Sequence, residues 1–240
     1  MMNAVAVVPA HNEEATVAEV INRVYATGIV DEVIVVDDCS TDDTADRVEE
    51  TDAILVSTDR NRHVGGATKL GCSRALELDA DVIFRLDADG QHDPDALHRF
   101  YRKLQAPDCQ YVLGNRFADP SYRDVMPYDR RFGNRVVSLA TSVRVGQYIP
   151  DPTCGYRAME SSYLEQDQLQ NVSDGFQFLI EELLLFDYLG AGIRSVPISC
   201  IYDDEESSLG YYDGIKFLFP NVLWWNRFQG SISNYFFDRP

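Results

Sequence analysis

Short β-branched runs alternate with stretches of helical spacing from residue 4 to residue 86, and that alternation leaves few folds open. Ala4–Val8, Glu32–Val36, Ala53–Ser57 and Asp81–Leu86 read as mostly apolar strands, as buried parallel strands must. Between them lie three helical patterns. Glu13–Ala26 carries Val17, Val20, Ile21 and Val24 on one face and ends at Gly28; Thr41–Glu50 follows the second strand; Val64–Leu78 opens on Gly65 and Gly66. Beyond residue 110 the pattern is mixed: Tyr111–Gly114 is strand-like, Asp129–Val145 helical, and Gly175–Leu189 a strongly apolar helix. The expectation is an α/β fold, a mostly parallel sheet flanked by helices with a mixed second half, over residues 1–210. An aromatic amphipathic tail of 211–240 follows.

Charge then narrows the partners. With 21 Lys and Arg against 39 Asp and Glu, the net charge is −18, which repels nucleic acid and suits a protein dissolved in concentrated salt. Cysteines 39, 72, 109, 154 and 200 are scattered, odd in number and form no CxxC pair, so a reducing, cytoplasmic setting is expected. The start of the chain has no basic segment of a signal peptide, and no apolar run approaches the length of a bilayer span.

In open α/β sheets, ligands gather beyond the carboxyl ends of strands, and the polar clusters of this sequence fall there. The strongest is Arg85–Pro94. Asp87 and Asp89 at alternate positions, followed by Gln91, can offer hard oxygen ligands to one Mg2+ or Mn2+ ion; the plainer alternative is a solvated acidic turn. The second cluster, Val35–Asp42, places Asp37 and Asp38 where a carboxylate can accept hydrogen bonds from a base or ribose, with Ser40, Thr41 or Asp42 available for helix capping. The third, Pro9–Glu14, lines the same edge. No GxGxxG follows the first strand and no GxxxxGK[ST] occurs, which excludes the usual dinucleotide and P-loop sites.

The clusters PAHNEE, VDDCSTDDT, NRHVGGA, RLDADGQHDP, GNRF and DPTCGYRA occur in an order and spacing that resembles family-two glycosyltransferases of the dolichyl-phosphate mannose synthase type, over about residues 4–200. The resemblance implies the GT-A fold, a divalent metal, inverting transfer of a hexose from a nucleotide sugar of the GDP-mannose or UDP-glucose type, and a dolichyl or polyprenyl phosphate acceptor. It implies that Pro9, His11 and Glu13 touch the nucleotide, that Gly66 lies with them, and that Asp38 faces the base. Asp87 is implied at the ribose or diphosphate, Asp89 and Gln91 as metal ligands, and Arg116 and Arg130 on phosphates, where a planar guanidinium fork is effective. Cys154 stands where a serine is common and is read as packing. Of Glu181 and Glu182, one is expected to face the site and the other solvent.

Three alternatives stand beside this reading. The same donor chemistry on a hydroxyl acceptor would need a carboxylate base, for which Asp151 is the candidate, although the QxxRW signature of processive synthases is missing. A nucleotide-binding module without catalysis would not need Asp87, Asp89 and Gln91 together, and a nucleotidylyltransferase would show a basic, Gly-rich loop after the first strand. In the tail, Ile215–Phe228 sets Phe217, Phe219, Trp224, Trp225 and Phe228 beside Lys216 and Arg227, a composition suited to peripheral contact with the inner face of a membrane.

Overall fold

The β-branched runs do pair as expected, in one sheet whose order explains why the polar clusters meet. The computed structural model describes residues 2–164, 169 and 171–199. The first half reads β1 (Ala4–Ala10), α1 (Val17–Ala26), β2 (Glu32–Asp37), α2 (Thr44–Glu49), β3 (Ile54–Ser57), α3 (His63–Glu77) and β4 (Val82–Arg85). The second half adds α4 (Leu97–Leu104), β5 (Tyr111–Asn115), α5 (Pro120–Val125), α6 (Tyr128–Val145), β6 (Arg157–Glu160), α7 (Phe178–Tyr188) and β7 (Ile193–Pro197). Residues 200–240, with Cys200 and the expected aromatic tail, lie outside the described residues. Among the described residues no helix is long and apolar enough to cross a membrane.

Among the described residues seven strands form a sheet of order β3-β2-β1-β4-β6-β5-β7. Pairing is parallel except at β6, which runs antiparallel to both β4 and β5. The carboxyl ends of β1, β2, β4 and β5 and the amino end of β6 therefore share one edge. That edge also holds the switch point, since the chain leaves β1 for β2 on one side and later places β4 on the other.

Strand pleat divides the core between two faces. Val5, Val7, Ile34, Val36 and Ile83 pack on one side with α3 and α7, whereas Ala6, Val8, Val33, Val35, Val82 and Phe84 pack on the other with α1 and α4. A one-residue slip would exchange these sets, and each buried Val or Ile is worth about 1.5–3 kcal/mol, so register is strongly fixed. Helix α1 buries the four residues of its expected stripe. It stops where Thr27 Oγ1 donates to the Val24 carbonyl (2.6 Å) and Gly28 takes φ +64°.

Several boundaries depart from the sequence expectation. β1 runs on through Pro9 to Ala10, because Pro9 lies past the last β1–β4 pair, Val7 with Arg85, and still pairs with Val36 of β2. Helix α1 starts at Val17 rather than Glu13, and α2 at Thr44 rather than Thr41. The intervening residues are tied across the two loops instead. Asn12 N–H donates to Ser40 Oγ (2.9 Å), Thr41 N–H to Asn12 Oδ1 (2.8 Å), and Glu13 N–H to Thr44 Oγ1 (2.8 Å).

Candidate active site

The site begins at the sharp turns after β1 and β2. Asn12 (φ 59°) and Cys39 (φ 62°) both adopt the left-handed region that residues with a Cβ rarely visit, so two adjacent strands end in abrupt reversals held by the cross-loop bonds above. His11 Nδ1 lies 2.8 Å from the Asp38 carbonyl, which fixes the imidazole against the second loop. Asp37 accepts from Ser40 N–H at 3.2 Å.

Asp38 is held by partners that the sequence did not show. Its buried carboxylate accepts from the Arg62 N–H at 2.8 and 3.0 Å, and Oδ1 also accepts from Thr58 Oγ1 at 3.0 Å. It organises residues 58–62 as a wall beside His11, whose Nε2 lies 3.4 Å from Asn61 Nδ2. Gly66 is closely packed. Its N–H and that of Gly65 point at the Asp174 carbonyl (3.3 and 2.7 Å), and a Cβ on Gly66 would lie 2.7 Å from Arg62 Cβ. Pro9 and Glu13 remain half-buried along the same edge, and Glu13 Oε2 accepts from Thr16 Oγ1 at 3.3 Å.

The loop after β4 carries the acidic cluster. Inside-outside alternation persists beyond the strand: Leu86, Ala88 and His92 are buried, while Asp87, Asp89 and Gln91 are half-exposed on the open side. Asp89 Oδ1 accepts from Gln91 N–H (2.9 Å), which closes the turn, and Gly90 at φ +74° approaches Thr16 at the start of α1. Among the described residues no three His, Cys, Asp or Glu side chains assemble as a cation site by themselves. Two carboxylates and an amide on the open side are nevertheless hard oxygen donors suited to Mg2+ or Mn2+, which ordinarily completes its shell with water and phosphate oxygens.

Two supports of Asp87 escape sequence reasoning. His92, buried against Tyr156 at a ring distance of 5.2 Å, accepts from the Asp87 N–H at Nδ1 (3.4 Å) and so holds the backbone of Asp87. Gly155 leaves room for the carboxylate from the other side, since a Cβ there would sit 2.7 Å from Oδ2 and 3.0 Å from Oδ1. The only sequence signal for either was its place inside a recognised cluster.

Beneath this floor lies a buried charge network that was also missed. Glu182 on α7 accepts from Arg85 Nη1 (2.8 Å), Arg157 Nη1 (2.9 Å) and Tyr111 Oη (2.6 Å), all in the fully buried interior. The two guanidinium groups then grip the backbone above them: Arg85 Nε reaches the Gly155 carbonyl (3.1 Å), and Arg157 reaches those of Cys154 (2.9 Å) and Pro152 (2.7 Å). Burial acts to lower the Arg157 pKa, but Tyr111 and Glu182 beside it outweigh that and hold it above the ordinary range. Neither glutamate of α7 is solvated, which corrects that expectation: Glu181 is buried too and accepts from Ser173 N–H (2.6 Å) and Oγ (3.0 Å).

On the far flank Arg116 faces Asp151. Nε and Nη2 donate to the two carboxylate oxygens at 2.7 and 2.9 Å, the Arg116 N–H adds a third bond at 3.2 Å, and Asp151 is completely buried. Burial opposes the Arg116 charge, yet the Asp151 carboxylate more than offsets it and keeps its pKa well above the usual value. Arg116 is thus committed first to Asp151, and of its side-chain nitrogens only Nη1 is outside these bonds. Both Asp151 oxygens accept from Arg116, and the carboxylate is shielded from solvent. Thr153 Oγ1 donates to Asn134 Oδ1 (3.0 Å) on α6, one turn past the exposed Arg130, so both expected arginines belong to one flank. Cys154 is buried packing as expected, and burial pushes its thiol up to about 12.

This sheet order, with an acidic loop at the switch point and a mixed second half, is the GT-A architecture. The chain matches Glycosyl transferase family 2 over residues 5–167, and it belongs to that family. It is 30% identical over 221 residues to a UDP-N-acetylglucosamine–dolichyl-phosphate N-acetylglucosaminyltransferase of Methanococcus voltae, covering 85% of this chain and 88% of that one. It is 28% identical to an undecaprenyl-phosphate mannosyltransferase of Micrococcus luteus, covering 83% and 84% of the two chains. Among solved structures, glucosyl-3-phosphoglycerate synthase of Mycobacterium tuberculosis, in complex with Mn2+, UDP and glucosyl-3-phosphoglycerate, superposes with a TM-score of 0.68 at 20% identity, covering 92% of this chain and 79% of that one.

Proposed function

We propose that this glycosyltransferase moves a hexose, with inversion, from a nucleotide sugar of the GDP-mannose or UDP-glucose type to a dolichyl or other polyprenyl phosphate. It would work as a peripheral protein at the inner face of the cell membrane. The observation that carries the reading is the pair of half-exposed carboxylates, Asp87 and Asp89, on the open side of the loop just past β4. The named activities of the Methanococcus and Micrococcus relatives support the acceptor class.

Asp87, Asp89 and Gln91 would hold a Mg2+ or Mn2+ ion, which when bound neutralises charge on the departing nucleoside diphosphate. The loops after β1 and β2, with Pro9, His11 and Glu13, line the nucleotide, and Asp38 keeps the residue 58–62 wall in place beside it. His92 holds the Asp87 backbone, and Gly155 leaves room for its carboxylate. Arg130, with Nη1 of Arg116, attracts the acceptor phosphate to the opposite flank. A phosphate monoester with a second pKa near ~6 is already largely anionic at neutral pH, so its oxygen attacks without a base from the protein. The burial of Asp151 under Arg116 favours that acceptor over a hydroxyl.

The test is incubation with labelled nucleotide sugars, Mn2+ and polyprenyl phosphate, followed by organic extraction. Label is expected in the organic phase, and Asp89→Ala should abolish it while leaving the circular dichroism spectrum unchanged. Label that stays in the aqueous phase on a hydroxyl acceptor, or an active Asp89→Ala protein, would overturn the assignment.

A further inference from the structure

Three loops of the open edge cross at one imidazole. His11 follows β1, Asp38 follows β2 and Asn61 follows β3, and the His11 ring meets the other two through its two nitrogens. Nδ1 lies 2.8 Å from the Asp38 carbonyl oxygen. A carbonyl can only accept, so Nδ1 carries the proton. On the other side of the ring, Nε2 lies 3.4 Å from the amide nitrogens of both Asn61 and Asn12.

Neither amide is free to turn over. Asn61 Oδ1 accepts from the His63 N–H at 2.8 Å, and Asn12 Oδ1 accepts from the Thr41 N–H at 2.8 Å and from Thr41 Oγ1 at 3.3 Å. Reversing either one would set its NH2 group against a backbone N–H. Both amides therefore present N–H to Nε2, and Nε2 must offer its lone pair. One lone pair shared by two donors fits the length of both contacts. The folded loops thus call for the Nδ1–H tautomer, with both ring nitrogens committed. The clasp also reaches where Asp38 does not. The Asp38 carboxylate holds the two ends of the 58–62 wall, at Thr58 and Arg62, whereas His11 takes the wall near its middle and joins it to the loop after β1. His11 and Asn61 are both exposed at that edge.

We propose that His11 is a positioning residue for the nucleotide: as the Nδ1–H tautomer it clasps the loops after β2 and β3 to the loop after β1, and so keeps Asn61 and its wall in place before the donor arrives. A wall set in advance has less order to gain on binding, so the contribution lies in nucleotide affinity and not in the transfer step. The clasp amounts to about one net hydrogen bond, which corresponds to about three- to tenfold in affinity. The inference rests on the nucleotide-sugar reading for its purpose; the tautomer stands without it.

The clasp is read first without any ligand. In a long-range proton–nitrogen correlation spectrum of the full chain, isotope-labelled at its histidine nitrogens, the signal lost in His11→Phe should show a protonated Nδ1 and a bare Nε2. A proton on Nε2, or a ring averaging between tautomers, overturns the proposal. In His11→Phe, hydrogen exchange over residues 58–62 should quicken by at least about fivefold, with the thermal midpoint within about 3 °C of the parent. Unchanged exchange overturns the proposal, and so does a collapsed midpoint, since the ring would then hold the fold and not the wall. Calorimetric titration with Mn2+ and UDP, and with Mn2+ and GDP, reads the purpose. His11→Phe and Asn61→Ala should each weaken binding about three- to tenfold, and the double variant should bind no more weakly than the poorer single one, because both cut the same clasp. In transfer assays the loss should fall on KM, with kcat within about twofold of the parent. Losses that multiply in the double variant, or a kcat that falls at constant KM, overturn the positioning role. A parent that binds neither nucleotide overturns the nucleotide-sugar reading and the affinity half of the inference with it, while the tautomer and the exchange rates still decide the clasp.

Discussion

Substituting alanine for Gly155 tests whether the acidic loop acts through position as well as composition. The added Cβ would meet Asp87 Oδ2 at 2.7 Å and Oδ1 at 3.0 Å, against a comfortable carbon–oxygen separation of about 3.4 Å. The backbone of 152–155 has little freedom to retreat, because Arg85 and Arg157 hold three of its carbonyls from inside. The carboxylate must therefore move by about 0.7 Å, the difference between the two distances, toward the open side of the cleft. A displacement near 1 Å at a reacting centre can cost ~10²-fold in rate, so a fall of about 30–100-fold in the transfer rate is expected. The half-saturating Mn2+ concentration should rise with it. Stability should change little, since Asp87 is half-exposed and not part of the packed core. The assay is transfer of label from donor to polyprenyl phosphate across a Mn2+ series, paired with a thermal melt. Gly133→Ala, where an added Cβ meets nothing within 4 Å, is the control. A Gly155→Ala protein within about threefold of the parent rate would refute the reasoning, as would one whose melt collapses along with its activity.

Glu182→Gln removes a carboxylate that bonds both buried guanidinium groups of Arg85 and Arg157, and breaking such a pair from one side costs about 3–5 kcal/mol. A urea midpoint that barely moves would show that the network is not held by charge. Thiol labelling at pH 8 should separate the four cysteines of the described residues. Burial pushes Cys72 and Cys154 to about 12 and Cys109 to about 11, so these three should react only on unfolding, while half-exposed Cys39 reacts in the native protein and is protected by nucleotide sugar. Peptide mapping that finds Cys72 labelled first, or Cys39 labelled equally with and without donor, would contradict the picture.

The donor half was legible in the sequence because its strands are buried on both faces and therefore read as unbroken β-branched runs, Val33–Val36 and Val82–Phe84 among them. The carboxylates after β4 were legible for a related reason: Leu86, Ala88 and His92 continue the strand's alternation inward and leave Asp87, Asp89 and Gln91 outward. What failed to show were contacts between distant segments. Nothing local marks Asp38 as the partner of Thr58 and Arg62, or assigns Arg116 to Asp151. β6, only four residues long, has no periodicity to betray it and drew no strand assignment. Glu181 and Glu182 sit in a run so apolar that one was assigned to solvent by default; only the fold reveals that Arg85, Arg157 and Ser173 are waiting for them.

The direction of β6 has a consequence for how such a cleft can come to exist. Had those four residues paired parallel to β4, the segment before them would emerge at the far end of the strand, about 13 Å away at ~3.3 Å per residue. Gly155 would then lie nowhere near Asp87, and the arginine flank would open on the wrong side of the molecule. Reversing one short ribbon in an otherwise co-directional sheet is what folds the two halves of the chain toward a common opening, so that a donor and an acceptor can be presented face to face.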